Sequence, residues 1–192
     1  MDYVRLSLAE VRTQLEAVAR EAQGTFGSLD QRQLNWKPSE TSWSVGQCFE
    51  HLLTANQLMF RAMDVALSGD SPRTLWQRIP LWPTMCGRLM IRSQAPTAKG
   101  KHSAPAAAWP ATSGIAADVI ARFVEQHRAA VASPQFLDEQ RATRTIMTSP
   151  FFRALTYNVA DGWRLLVAHD WRHVEQARRV TRMADFPNSH DA

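Results

Sequence analysis

The chain has 192 residues, of which 45% are hydrophobic and 21% charged, with a formal net charge of +4. This composition is typical of a globular protein, and the length suits one domain covering residues 1–192. No apolar run approaches the length that a bilayer requires, and charged residues interrupt the N-terminal segment. The sequence therefore predicts no membrane-spanning helix, no signal peptide and no membrane partner, and we expect a cytoplasmic protein.

Neither the cysteines nor the basic residues form a known binding motif. Cys48 and Cys86 fit no zinc ribbon or CxxC spacing, so we expect two free thiols. The densest basic group lies in the last predicted helix and consists of Arg172, Arg178, Arg179 and Arg182. No aromatic residues alternate with these arginines, so a solvated helix face is favoured and a nucleic-acid partner is not expected.

Helical periodicity first appears over residues 7–24 and 44–68. Each segment begins with a capping box, Ser7 with Glu10 and Ser44 with Gln47, in which the two side chains cap each other's backbone N–H groups. Apolar residues then recur every three or four positions, as expected for a helix with one buried face. His51 lies at the edge of the apolar stripe of the second segment.

Two further helices are predicted over residues 113–132 and 158–183. On the last helix, the inward positions include Gly162, His169 and His173. A glycine on that face lowers helix stability and so indicates close approach of another element. No segment shows a strong strand alternation, and the predicted fold class is therefore all-α, a four-helix bundle.

A long irregular segment, residues 69–112, separates the second and third predicted helices and contains six of the ten prolines. We expect one or two short helices within it. A connection of this length is often functional or mobile. The simplest interpretation is a crossover that wraps the bundle; a lid over one end and a dimer contact are the alternatives.

His169 and His173 are one helical turn apart, so both imidazoles lie on one face of the last helix. That geometry offers two nitrogen ligands to one metal ion, and His51 could supply a third. Three neutral imidazoles leave a coordination position open, as in catalytic metal sites. The alternative is that these are hydrogen-bonded core histidines, since no glutamate stands beside the first histidine as in an HExxH motif.

Other residues near the histidines have weaker claims. Cys48, one turn before His51, is a candidate fourth ligand, reactive thiol or core residue. Gln176 could orient a histidine ring through a hydrogen bond, and Gly162 could border a pocket. We expect Asp170 and Glu50 to point away from the site. Of the remaining histidines, we expect His102 and His190 to be exposed and His127 to be structural or to support the site indirectly.

Two stretches resemble the DinB-like (YfiT-like) superfamily of small metal-binding helical bundles. The matching elements are Trp36-Lys-Pro, Trp43-Ser at a helix start, the following His51-Leu, and His169-x-x-x-His173 near the end. Their order and spacing agree over nearly the whole chain. The resemblance implies a bundle, often dimeric, in which three histidines bind a divalent metal. In this chain they correspond to His51, His169 and His173, with His102, His127 and His190 not among the ligands.

The resemblance also suggests the class of activity. Characterised relatives include thiol S-transferases that use a low-molecular-weight thiol, maleylpyruvate isomerases and metal-dependent hydrolases. We therefore expect a small-molecule substrate and a divalent ion, zinc or nickel ahead of iron or manganese, in a homodimer. The ion would activate water or a thiol. The alternative is a non-catalytic metal-binding or interaction bundle.

Overall fold

The computed structural model describes residues 1–69, 74–99, 104–111 and 114–187. The helices are α1 (Leu8–Phe26), α2 (Gln31–Asn35), α3 (Val45–Ser68), α4 (Leu75–Arg78), α5 (Trp82–Gln94), α6 (Val119–Val131), α7 (Glu139–Arg144) and α8 (Val159–Thr181). Single 3₁₀ turns cover Tyr3–Arg5, Ala106–Ala108 and Pro134–Leu137. The strands are β1 (Ile146–Thr148) and β2 (Thr156–Asn158).

Helices α1, α3, α6 and α8 pack as a ring and confirm the predicted all-α, four-helix bundle. Helix α3 contacts α8 and α6, and α1 contacts the same two helices from the other side. Their inward faces bury the apolar residues predicted from the periodicity, including Val11 and Leu15 of α1 and Leu52 of α3. In the described part of the chain, no helix is long and apolar enough to cross a bilayer.

The predicted helix starts are where the capping residues place them. Ser7 and Glu10 cap each other at the start of α1, and Ser44 and Gln47 do so at α3. Helix α8 begins after Asn158, whose side-chain oxygen accepts a hydrogen bond from the backbone N–H of Asp161. These local bonds fix where each helix enters the bundle, and so fix the height of the histidines along α3 and α8.

Helix α6, the third helix predicted from the sequence, begins later than predicted, at Val119 instead of residue 113. Gly114 has a left-handed backbone with φ of +73°. The Asn35 side chain bonds both backbone groups of Ile115, accepting from its N–H at 2.8 Å and donating to its carbonyl at 3.0 Å. Because the Asn35 side chain satisfies the N–H and the carbonyl of Ile115, this residue needs no helical hydrogen bonds. Ile115 therefore lies outside α6, although its spacing matches the apolar positions of that helix.

The segment over residues 69–112, for which one or two short helices were expected, contains the four-residue α4 and the 13-residue α5. Helix α5 packs along α8 and against β2, and the turn Ala106–Ala108 packs on α3. These described parts therefore lie against the bundle, as a crossover would. The interpretation of His102 and of His190 falls outside the described residues.

A small antiparallel sheet was not predicted. Strands β1 and β2 pair with Met147 opposite Tyr157. Each strand has three residues, too few to display an alternating pattern. The sheet is anchored from outside: Gln77 Nε2 donates to Thr148 Oγ1 at 3.0 Å, and Trp82 Nε1 donates to the Ala154 carbonyl at 3.0 Å. Tertiary contacts of the crossover thus stabilise it.

Gly162 shows the close approach that its position predicted. A Cβ added there would lie 2.9 Å from Met147 Sδ and 2.9 Å from Met63 Cε. The missing side chain therefore lets α8 approach both α3 and the small sheet. Gly162 thus contacts methionine side chains. It lies seven residues, or almost two helical turns, before His169, the nearer of the two histidines on α8.

Two glycines should respond in opposite directions to replacement by alanine. In Gly46→Ala the new Cβ would lie 2.9 Å from the Leu34 carbonyl oxygen, which belongs to the backbone and moves at a cost. We expect the free energy of unfolding to fall by about 1–3 kcal/mol. In Gly24→Ala the new Cβ would have no atom within 4 Å, and we expect the free energy of unfolding to rise by about 0.5–1 kcal/mol. Urea unfolding of both variants tests this; stabilisation by Gly46→Ala would contradict it.

Candidate metal centre

The packing of α3 on α8 brings His51, His169 and His173 together. One nitrogen from each ring lies within 4.8 Å of the others. His51 Nε2 and His169 Nε2 are 3.2 Å apart. Two nitrogens bound to one tetrahedral zinc ion at 2.0–2.1 Å would be about 3.3 Å apart. The distance between these two nitrogens is therefore close to the distance expected between two ligands of one zinc ion.

The ring of His51 is oriented by the crossover segment. Its Nδ1 lies 2.7 Å from the carbonyl oxygen of Ala108. A carbonyl only accepts, so Nδ1 carries the proton and Nε2 keeps its lone pair toward the other histidines. A backbone carbonyl behind a histidine is a common support for a metal ligand, because it fixes both tautomer and ring orientation.

Two polar residues of α3 hold the same segment. Gln47 Nε2 donates to the Ala111 carbonyl at 2.7 Å, and Glu50 accepts from the Ala111 N–H at 2.5 Å. Glu50 therefore points away from the histidines, as predicted, and toward the crossover. Residues 104–111 thus fix His51 from behind, a role for which the sequence carries no signal, because the group involved is a backbone carbonyl.

Burial keeps the three imidazoles uncharged at neutral pH. His51 is 2% exposed and His173 9% exposed. Burial is the main cause that lowers the pKa of His173 to about 3, with repulsion from His51 and Arg172 adding to it. Burial also lowers the pKa of His51 and, together with the neighbouring histidines, lowers that of His169 well below its ordinary value. Metal ions bind neutral imidazole, so the rings need not lose protons first.

The ring of His173 has a buried nitrogen, Nδ1, that makes no hydrogen bond to the described residues. Gln176, one turn along α8, is close enough to raise the pKa of His173 slightly against the other causes. An unpartnered polar atom in this position costs free energy unless another group reaches it. The residues present therefore fit a bound cation.

Two tryptophans form a wall beside the histidines. The Trp43 ring stacks on His173 with centroids 5.7 Å apart, and lies 5.0 Å from His51. Trp109 meets Trp43 edge-on at 5.8 Å and is 56% exposed. Sequence reasoning did not place either ring at the site. Trp43 carried a usable signal, since it directly precedes the Ser44 cap and lies about two helical turns before His51.

No further residue of the described chain joins the three histidines as a potential ligand. Cys48 is fully buried within the apolar cluster shared by α1, α3 and α6, and burial raises the pKa of its thiol to about 12. A thiol ligand would have to be deprotonated, which this environment opposes. The cluster thus offers three nitrogens and leaves the remaining coordination positions to an external group.

A buried, hydrogen-bonded pair of Asp170 and His127 lies next to the three-histidine cluster. Asp170 is 0% exposed; its Oδ2 is 2.8 Å from His127 Nε2, and its Oδ1 accepts from Asn56 Nδ2 at 3.0 Å. His127 Nδ1 is 3.0 Å from the Phe123 carbonyl. Both ring nitrogens of His127 therefore lie within hydrogen-bonding distance of an oxygen atom. Asp170 does point away from the three-histidine cluster, as predicted, but it enters the core, which the sequence analysis missed.

Two arginines of the basic group in α8 bond within the protein. Arg178 is 18% exposed at its side chain and pairs with Glu21 and Glu175. Arg172 donates to the carbonyls of Ala95 and Ala98, just after α5. These contacts hold α8 against α1 and the crossover.

The lowered histidine pKa values predict that the metal-free protein loses stability in acid. The pKa of His173 is about 3 in the folded state against about 6.5 unfolded. As the pH falls below about 6.5 the unfolded chain binds the proton first, so stability is intact above that pH and decreases toward pH 3. His173 alone should remove about 2 kcal/mol between pH 7 and pH 5.

Urea unfolding of chelator-treated protein at the two pH values measures this loss. His173→Gln is the control, because glutamine keeps a polar side chain that does not titrate. An equal pH dependence in the variant and the parent would contradict the assignment to His173.

The buried pair of Asp170 and His127 should show strong coupling. Asp170→Asn leaves His127 without its carboxylate partner, so we expect the free energy of unfolding to fall by about 3–5 kcal/mol. His127→Gln should also destabilise. The double variant should cost clearly less than the sum of the two, since neither group is then left alone. Additive losses in urea unfolding would show that the two side chains do not interact.

The family comparison agrees with the site. A family model of the DinB superfamily matches residues 14–177, which include all three histidines and extend from α1 into α8. Comparisons with curated proteins and with solved structures find no match. The resemblance predicted from the Trp-Ser, His-Leu and His-x-x-x-His elements is confirmed. Since the match covers most of the sequence, the chain belongs to the DinB superfamily.

Proposed function

We propose that the protein is a metal-dependent enzyme that acts on a small molecule, of the thiol S-transferase or hydrolase type. The observation that carries the proposal is the convergence of three neutral imidazoles without a fourth ligand from the described chain. A closed set of four protein ligands would indicate a structural site instead. Zinc and nickel are the ions that suit this donor set best, with iron and manganese as further candidates.

The chain's own residues would hold and orient the ion. His51, His169 and His173 supply the nitrogens, and the Ala108 carbonyl fixes the ring of His51. With an open position, a bound divalent ion supplies Lewis acidity that lowers the pKa of water or of a thiol. Trp43 and Trp109 would pack against an apolar part of the substrate and exclude water on that side.

The distribution of carboxylates favours a thiol over water as the nucleophile. Asp170 is the carboxylate nearest in sequence to the ligands, and its two oxygens already bond His127 and Asn56. Glu50 is engaged with the backbone of Ala111. Neither is available as a general base. A thiol with an ordinary pKa near 8.5 needs less help to ionise than water does, so thiol transfer is the preferred reaction type.

The first test is metal content. Purified protein should bind one divalent ion per chain, and His169→Ala should weaken binding beyond the 10- to 100-fold that loss of an orienting partner costs. His190→Ala, in the C-terminal tail, is the matched control. Inductively coupled plasma spectrometry and calorimetric titration give stoichiometry and affinity. An unchanged stoichiometric ion in His169→Ala would refute the ligand set.

The second test separates the two reaction types. Metal-loaded protein is assayed with an epoxide or chlorinated aromatic electrophile plus a thiol, and separately with an activated ester and no thiol. Turnover in the first assay alone would support S-transfer, and turnover in the second alone would support hydrolysis. His51→Ala should abolish either activity while the fold, followed by circular dichroism, persists.

A non-catalytic metal-binding bundle is the second candidate. Two surface cavities, of about 770 and 1020 Å³, have linings that contain none of the three histidines, so a small molecule bound in either would not contact the ion. Under this alternative the ion would raise the melting temperature without turnover in either assay. Stoichiometric metal combined with inactivity toward both substrate classes would favour it.

A further inference from the structure

The crossover helices expose an unusual amount of apolar side chain. Six large hydrophobic residues on and beside α4 and α5 are at least 42% exposed: Leu75, Trp76, Ile79, Leu81, Met85 and Leu89. They make up more than half of the exposed large hydrophobic residues in the described chain. Helices α4 and α5 are in contact, and the rings of Trp76 and Trp82 lie 5.7 Å apart. Exposed apolar residues that cluster on one surface often mark an interaction site.

Helix α5 divides cleanly into two faces. Cys86 and Ile91 point into the core and are at most 6% exposed. Met85 is 64% and Leu89 69% exposed, and these two lie one turn apart on the opposite face. Because the buried face already anchors α5 to the bundle, the outer face is free to bind something else. We call the six exposed apolar residues around α4 and α5 the crossover face.

Leu81 is held outward by a strained backbone. Its φ of +64° makes it the one non-glycine residue with positive φ in the described chain. The left-handed conformation costs a leucine about 1–2 kcal/mol, yet the side chain is 74% exposed. Strain that presents an apolar group to solvent is consistent with a role for that group in binding.

The stretch of sequence that contains the crossover face is basic and has no acidic residue. Residues 71–117 contain six of the chain's 22 Lys and Arg and none of its 18 Asp and Glu. The rest of the chain, with 16 basic and 18 acidic residues, is slightly acidic, so the net positive charge arises in this segment. Arg78, Arg88 and Arg92 are exposed here, and no ion pair engages them among the described residues.

We propose that the crossover face docks on an anionic lipid surface. Exposed leucine and tryptophan side chains beside arginines match the pattern of helices that lie in the membrane interface, where apolar groups enter the acyl boundary and basic groups meet anionic headgroups. This differs from the predicted absence of a membrane partner, which rested on the lack of a spanning segment. Docking at the interface needs no spanning helix.

The same charge argues against a second copy of the chain as the occupant. A two-fold symmetric dimer would place this face against itself. The exposed Arg78, Arg88 and Arg92 would then be present on both sides of the interface, with no acidic residue between positions 71 and 117 to compensate. An anionic bilayer provides complementary charge for all three.

Vesicle sedimentation of the full chain tests the proposal. The protein should bind phosphatidylglycerol-containing vesicles, release at high salt, and bind pure phosphatidylcholine vesicles at least tenfold more weakly. Met85→Glu combined with Leu89→Glu should reduce binding to anionic vesicles more than tenfold. Arg88→Gln and Arg92→Gln should each reduce it about fivefold.

The matched control is Val65→Glu combined with Met183→Glu, which adds the same charge at exposed apolar positions off the crossover face. It should bind vesicles like the parent. Absence of binding to anionic vesicles, equal binding to both lipids, or equal loss in the control would overturn the proposal. So would loss of a dimer, measured by light scattering, in the Met85 and Leu89 double variant without a change in vesicle binding.

Two checks keep this test separate from the metal site. Binding is measured with and without chelator and should be unchanged, since the crossover face contains none of the three histidines. Circular dichroism melting of each variant confirms folding, which substitutions at exposed positions should preserve.

Discussion

The contact between α3 and α8 is the constraint on which the rest of the structure depends. It brings together three imidazoles, whose nitrogens converge within 4.8 Å, and it buries the rings of His51 and His173 and the Asp170 carboxylate. Burying polar groups in this number is costly unless each finds a partner. The carboxylate finds two, and His51 finds a backbone carbonyl. Among the described residues, His173 Nδ1 has no hydrogen-bond partner.

The crossover, residues 69–112, contributes directly to the site through its hydrogen bonds to α3 and to His51. Its 104–111 segment is clamped to α3 by Gln47 and Glu50, and through Ala108 it sets the tautomer of His51. Its other end is tied to α8, because Arg172, adjacent to His173, bonds the carbonyls that follow α5. A change in the position of the crossover would therefore reach two of the three histidines through named hydrogen bonds.

The parts of the fold that depend on short-range chemistry could be predicted. Capping pairs such as Ser44 with Gln47 set helix starts, and the i, i+4 spacing of His169 and His173 placed both rings on one face. The late start of α6 could not be predicted, because Asn35, 80 residues away in sequence, satisfies the backbone of Ile115. The β1–β2 sheet was missed for a similar reason, since Gln77 and Trp82 anchor strands too short to carry a pattern.

The same distinction applies at the site. The spacing of the histidines suggested the cluster, and the family resemblance identified His51 as its third member. The sequence could not assign Asp170, because an aspartate beside a histidine on a helix usually faces water. Only the position of His127 on α6, across the bundle, explains its burial. The group that orients His51 is the backbone carbonyl of Ala108, and because every residue has such a carbonyl, no sequence pattern could predict it.

Charge balance links these observations to the proposed chemistry. Three neutral imidazoles contribute no negative charge, and the Asp170 carboxylate is hydrogen-bonded to His127 and Asn56. Arg172 adds a positive potential at His169 and His173, as its lowering of their pKa values shows. A divalent ion in this setting would keep nearly its full charge and would favour an anionic external ligand over a neutral one. A thiolate or an ionised small molecule meets that requirement, whereas a fourth neutral ligand does not.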